Sequence, residues 1–248
     1  MMHGTKAPVR IWCLVIFDMI SAKNGMSARE VERKYGVCPR TAWFMLHRIR
    51  ECMKSDRLVA TMRGTIVADE TWIGGDPKNR HSGDDRQEPT TTLTGKPNRH
   101  TDKTPVVSLI NADTGEVRSA VVPNVTAANL RKFMSRNVDM ANSTLYTDEA
   151  RYYFKIGEEY FAHQSVNHSE GEYVRGNVTT NRAEGFFGQL KRSLDGTHHH
   201  VSREHLHRYV SEFDFRYTWC KLTDAEKLDQ WGAHMEGRLS YKRVKTAA

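Results

Sequence analysis

Two stretches of the chain share one local plan, and together they limit the folds open to it. Thr65, Ile66, Val67 and Ala68 form an apolar, β-branched run that leads directly into Asp69 and Glu70. Leu145, Tyr146 and Thr147 lead in the same way into Asp148 and Glu149. Runs of this length and composition predict buried strands, so each Asp is expected at a strand end beside a cleft. After the first run, Trp72, Gly74 and Gly75 are expected to turn the chain sharply away. A strand end holds a side chain more rigidly than a loop does, which suits a functional carboxylate. One acid in such a place is usually an ordinary loop opener, so the weight lies on the pair.

The surrounding sequence fills in a mixed α/β pattern. Residues 104–123 predict a hairpin around Asp113, Thr114 and Gly115. Residues 126–138 read as a helix capped by Thr126, residues 143–149 as a strand and residues 161–169 as another short strand. Residues 181–194 read as an amphipathic helix with Phe186, Phe187, Leu190 and Leu194 inward. The order is β, ββ, α, β, α, β, α. A polar insertion occupies 76–104, with Leu93 almost alone as an apolar residue, and insertions of that length are usually functional or disordered.

Ahead of this lies an all-helical region. Residues 9–22 have helical apolar spacing and stop at Asn24–Gly25. Ser27 is placed to cap a second helix, with Glu30 completing a capping box and Gly36 ending it. After Val37, Cys38 and Pro39, a third helix begins near Arg40 and carries Trp43, Phe44, Leu46 and Ile49. Two short helices joined by a glycine-containing turn predict a helix-turn-helix. Arg40, Thr41, His47, Arg48 and Arg50 lie on or beside its second helix as candidate DNA contacts. The expected division is a helix-turn-helix region over 1–60, an α/β catalytic region over 61–222 and a partly helical tail over 223–248.

Composition narrows the partners. Lys and Arg number 37 against 30 acids, a net charge of +7, with a pI near 9.2. That balance favours a polyanion. No apolar stretch approaches the roughly 18 residues of a membrane span, and the run Ile11–Ile20, broken by Asp18, reads as a buried helix. Cys13, Cys38, Cys52 and Cys220 show no paired spacing, so neither a zinc site nor a disulfide framework is expected, and a reducing, intracellular setting is the default.

Glu184 lies on the predicted helix 181–194, with Lys191 seven residues later, two turns on along the same side. Two strand-borne aspartates and a helix-borne glutamate suit a pair of hard divalent cations. Such a pair, roughly 3.5–4 Å apart, stabilises the attacking and leaving oxygens of phosphoryl transfer. Lys191 would hold a phosphate as a point charge, and Arg192 beside it is a further DNA candidate. Glu70 is expected to support the site or the fold without binding metal. Asn181, three residues before Glu184, is expected as the helix N-cap. His198, His199 and His200 are expected on a strand, where alternate facing excludes a tetrahedral zinc. That leaves His199 and His200 as phosphate contacts, as hydrogen-bonding groups near the site, or as structural residues. His205 and His207 fall on a predicted helix over 203–213, and Tyr152–Tyr153 and Phe186–Phe187 read as packing pairs.

The motifs "DETWIGG", "LYTDE", "VNHSEGEYVRG", "TNRAEGFFGQLKR", "GTHHHVS" and "HLHRYVSEFDFRY" occur in that order. The series resembles that of bacterial insertion-sequence transposases of the DDE superfamily, in the branch related to Merlin elements, from about residue 9 to residue 217. The resemblance implies an RNase H-like mixed sheet flanked by helices, and two Mg²⁺ or Mn²⁺ ions per site. It also implies Asp69, Asp148 and Glu184 as catalytic metal ligands, with Lys191 accompanying them. Its implied partners are double-stranded DNA, as terminal inverted repeats and as target, and further copies of the chain in a dimer or larger assembly. A cytoplasmic, nucleoid-associated bacterial protein is expected, with no membrane partner. The cysteine-rich zinc ribbon common in the family is not seen before the helix-turn-helix here, and the family's "RYN" ending is "RYTWCK" at 216–221. A metal-dependent nuclease of the same fold that cannot join strands, and a non-enzymatic DNA-binding repressor, remain as alternatives.

Overall fold

The strand that carries Asp69 is longer than its apolar run. The computed structural model describes residues 2–54, 60–74, 103–166, 174–175, 178–235 and 239, with backbone alone at 174–175 and 178–179. Within it, β1 spans Met62–Ile73. It pairs antiparallel with β2 (Thr104–Asn111) as far as Ile73 opposite Thr104. The expected strand end at Asp69 is therefore corrected: the chain stays extended for four more residues because β2 supplies ladder partners there. With β4 (Val138–Thr147), the parallel neighbour on the other side, the register ends at Val67 opposite Tyr146. Asp69 thus sits where one neighbour has stopped and the other continues. Gly75 and most of the 76–104 insertion lie outside the described residues.

β3 (Val117–Val121) closes the hairpin with β2, and Gly115 at φ 82° provides the left-handed turn residue. β5 (Ala162–Ser165) adds in parallel beyond β4. The sheet order is β3-β2-β1-β4-β5, a mixed sheet with helices on both faces and the RNase H-like arrangement that was expected. A separate two-stranded pair, β6 (Val174–Arg175) and β7 (Val178–Thr179), had no counterpart in the sequence reading. Two-residue strands carry too few side chains for an alternation to register.

Alternation along β1 divides the core. Ile66 and Ala68 face α4 (Ala127–Asn137) and α5 (Arg151–Gly157), packing with Leu130, Met134, Tyr153 and Ile156. Val67 faces α6 (Asn181–Ser193) and α7 (Arg203–Thr218), packing with Phe186, Leu190, Leu206 and Val210. Thr126 caps α4 by accepting from Asn129 N–H. The last turn of α6 continues into a five-residue π turn, Leu194–His198, so the expected strand at His198–His200 is corrected to a helix end and loop. His199 has φ 58°.

The N-terminal helices follow the sequence closely. They are α1 (Val9–Ser21), α2 (Ala28–Tyr35) and α3 (Pro39–Glu51). Ser27 caps α2 through Glu30 N–H and Gly36 ends it at φ 64°. The reciprocal half of the expected capping box is replaced, because the Glu30 carboxylate pairs with Lys34 at 3.1 Å. Trp12, Val15, Met19, Val31, Met45 and Ile49 form one core with Phe215 of α7 and Trp231 of α8 (Asp224–Gly232). Trp231 donates its indole N–H to Ile49 O at 3.2 Å, so α8 returns to the N-terminal helices. No described helix is long and apolar enough to cross a membrane.

A buried charge cluster ties α1 and α3 to α7. Glu212 accepts from Arg50 Nε at 2.6 Å and from Arg216 Nη2 at 2.6 Å, and it is fully buried. Arg216 also donates to the last carbonyls of α1, at Met19 and Ile20, and to Ala22. The Arg50 guanidinium lies 4.0 Å from the Tyr209 ring centre. Gly25 borders this cluster at φ 82°, and a Cβ there would stand 2.6 Å from Glu212 Oε1. Gly25→Ala is therefore expected to destabilise the fold by about 1–3 kcal/mol, from left-handed strain and crowding together. Urea unfolding checks this, and a loss within error would mean that the loop relaxes freely.

Candidate active site

The parallel register of β1 and β4 brings Asp69 and Asp148 to the same end of the sheet. Asp69 lies within β1 two residues beyond the last β1–β4 pair, Val67 opposite Tyr146, and Asp148 lies two residues beyond the same pair, just past the end of β4. Asp69 points to the α6 side of the sheet, as Val67 does. Its carboxylate accepts from Glu70 N–H at 2.8 Å. Asp148 follows the last residue of β4, and its Oδ1 accepts from Ala150 N–H at 3.0 Å, just before α5. Glu184 is exposed in the first turn of α6, with Lys191 and Arg192 exposed in the last.

The electrostatics connect these groups. Burial pushes the Asp69 carboxyl up to about 7; Asp148 and Glu184 add to the rise, while Glu70 N–H and Lys191 oppose it. Asp148, Glu184 and Lys191 therefore all act on the Asp69 carboxyl. Their oxygens are the hard donors that Mg²⁺ and Mn²⁺ take. Among the described residues, no three His, Cys, Asp or Glu side chains stand close enough to hold a metal ion. The donor set fits in its chemistry, and its carboxylates are turned to backbone N–H groups or to solvent. A cation would have to draw them inward.

Glu70 faces the other side of the sheet. It accepts from the Tyr153 hydroxyl at 2.8 Å and from the Tyr152 hydroxyl. Burial pushes it up to about 7, with Asp69 and Asp148 adding to the shift and the Tyr153 hydrogen bond opposing it. This locks β1 to α5, which begins three residues after Asp148. Besides the packing expected of it, Tyr153 restrains Glu70 through its hydroxyl, a role no sequence spacing signals.

Several expected positions lie elsewhere. The N-cap of α6 is Thr180, with Asn181 as the first helical residue, which corrects the capping assignment. His47 and Arg48, expected to face DNA, are buried. His47 packs against Trp43, His205 and Tyr209, the last two on α7, and burial drives its pKa far below the ordinary imidazole value, with Arg50 and Arg208 adding. Arg48 donates to His3 O at 2.8 Å and lies over the Trp12 and Phe44 rings. Arg50 is committed to Glu212. Of the α3 candidates, Arg40 is exposed and Thr41 half-buried at the first turn. His199 and His200 are exposed and line a cleft with α2, away from the carboxylates.

A family model described as the ISXO2-like transposase domain matches residues 61–218, from the strand of Asp69 through the end of α7. The chain belongs to this transposase family. The match spans Asp69, Asp148, Glu184 and Lys191. A protein in the transposable element ISH50 of Halobacterium salinarum is 25% identical over 209 residues, covering 84% of this chain and 69% of that protein. A transposase-like protein of Haemophilus influenzae is 29% identical over 102 residues, 41% of this chain and 80% of its own length. Among solved structures, a pre-cleavage Mos1 transpososome is similar at 12% identity and TM-score 0.36, over 96% of this chain and 82% of that one. The Mos1 strand transfer complex is similar at 14% identity and TM-score 0.35, over 96% and 82%. The last two are distant likenesses.

Proposed function

We propose that this transposase cuts DNA at the ends of a mobile element and joins the freed 3′-hydroxyl to target DNA, using Asp69, Asp148 and Glu184 as metal ligands. The observation that carries the reading is that the parallel register of β1 and β4 leads to Asp69 and Asp148 at the same end of the sheet, with the Asp69 carboxyl raised by burial and further by Asp148 and Glu184. Mg²⁺ or Mn²⁺ ions bound there would supply Lewis-acid stabilisation of the attacking and leaving oxygens. The chain's own part is positioning. β1 and β4 fix two carboxylates on a rigid sheet, while Glu184 on α6 supplies a third on a side chain free to turn inward. Lys191 holds a DNA phosphate as a point charge. Hydrolysis at the element end breaks a phosphodiester and leaves a 3′-hydroxyl. That hydroxyl then attacks a target phosphodiester in line, forming one P–O bond as another breaks. Two element ends must meet for insertion, which favours a dimer or larger assembly on DNA.

The test is a labelled element-end duplex incubated with protein and Mg²⁺ or Mn²⁺. Joined products support the reading; nicking without joining would favour a nuclease, and binding without nicking a repressor.

End recognition is assigned to Arg40 and Thr41 at the exposed start of α3. Arg40→Ala is expected to weaken element-end binding by about 1–3 kcal/mol, with a smaller loss on random duplex. Equal affinity of wild type and variant for both duplexes would remove this turn as the reader.

A further inference from the structure

A basic cleft lies where α2 meets the π turn that follows α6. It encloses about 630 Å³, and Arg29, Arg33, Thr197, His199 and His200 line it. Arg33 is exposed and makes no ion pair with another described residue. Arg29 is engaged with Glu32 at 2.8 Å, and the one lining acid, Glu30, is paired with Lys34 at 3.1 Å. The uncommitted charge facing the cleft is thus cationic. The walls are held firmly together, because Ser193 Oγ donates to Asn24 O at 2.5 Å and His198 packs on Tyr209 with ring centres 4.7 Å apart.

The cleft is connected to Glu184 along α6. Glu184 lies in the first turn of α6, and the π turn continues that helix to His198, so about 20 Å of helical rise separates Glu184 from His199. Lys191 and Arg192 are exposed between them. At about 3.4 Å per base pair, that distance is roughly six base pairs of duplex.

We propose that this cleft binds the DNA phosphate backbone about six base pairs from the bond being cut, with Arg33 as its principal charge and His199 and His200 as hydrogen-bonding partners. The inference rests on the transposase reading above and adds to it a clamp between the helix-turn-helix and the catalytic sheet. Arg33 reads no sequence; it fixes where along the duplex the carboxylates act.

The experiment measures binding of the full chain to a random-sequence duplex as a function of salt. Arg33→Ala is expected to make the slope of log affinity against log salt shallower by about one unit. Its affinity should fall by the same factor on random and element-end duplexes. Arg136→Ala, an exposed arginine on α4, is the control and should leave the slope unchanged. Circular dichroism checks that both variants fold. An unchanged slope for Arg33→Ala, or an equal change for Arg136→Ala, would overturn the clamp while leaving the transposase reading standing. Failure of the wild-type chain to bind any duplex would defeat both.

Discussion

Asp69→Asn is expected to abolish cleavage of an element-end duplex in Mg²⁺ or Mn²⁺ while leaving duplex binding intact, and Asp148→Asn to do the same. Each change removes charge that holds the metal, so a barrier increase of at least about 4 kcal/mol, roughly a thousandfold in rate, is reasonable. Gel-based cleavage and binding assays on the same protein separate the two effects. Cleavage retained in either variant would take that residue out of the catalytic set.

The same variant carries an opposite effect on stability. Asp69 is raised to about 7 in the metal-free fold, from 3.8. Between those values the folded chain holds a proton that the unfolded chain has released, so this group's contribution falls as pH rises from about 4 to 7. Asn has no such dependence. Metal-free Asp69→Asn should therefore gain on the wild type across that window, by on the order of 2 kcal/mol after screening at a partly exposed site. Urea unfolding at pH 5 and pH 8 reads the gain directly. Added Mg²⁺ should then stabilise the wild type and not the variant. A variant no more stable than wild type at pH 8 would show that the Asp69 carboxylate is not destabilised by its burial beside Asp148 and Glu184.

Glu212→Gln is expected to cost about 3–5 kcal/mol, because it leaves Arg50 and Arg216 buried without their counter-charge. Burial alone would push the Glu212 carboxyl up, but Arg50 and Arg216, with His198 nearby, outweigh it and hold the group down at about 2. Its contribution is present above the ordinary value near 4.5 and is lost as pH falls through about 2. Chemical denaturation at neutral pH measures the cost. A variant within about 1 kcal/mol of wild type would mean that water replaces the carboxylate inside the cluster.

The packing of α7 on α3 also explains why Arg50 and His47, candidate DNA contacts by sequence, are buried. Arg48, Arg50 and His47 lie on a helix whose turn residues, caps and apolar spacing all match a helix-turn-helix, and basic residues on such a helix ordinarily point outward. The carboxylate that draws Arg50 inward is 162 residues away, and the aromatic ring beside it is Tyr209. No local pattern announces partners at that distance.

Local chemistry by itself determined the caps at Ser27, Thr126 and Gly36, the β2–β3 turn at Gly115, the amphipathic face of α6 and the buried strand at 65–68. Each depends on residues within a few positions, where backbone sterics and alternation act directly. The motif order from Asp69 to Arg216 likewise carried the family. Only the tertiary structure decided that β1 runs on to Ile73, since β2 lends it hydrogen-bond partners from residues 104–108. Only the parallel register of β1 and β4 brings Asp69 and Asp148 to the same end of the sheet, and only the packing of α7 on α3 buries His47 and Arg50. These outcomes turn on which distant segment supplies the missing hydrogen bond, charge or ring, and that choice is made by the whole fold at once.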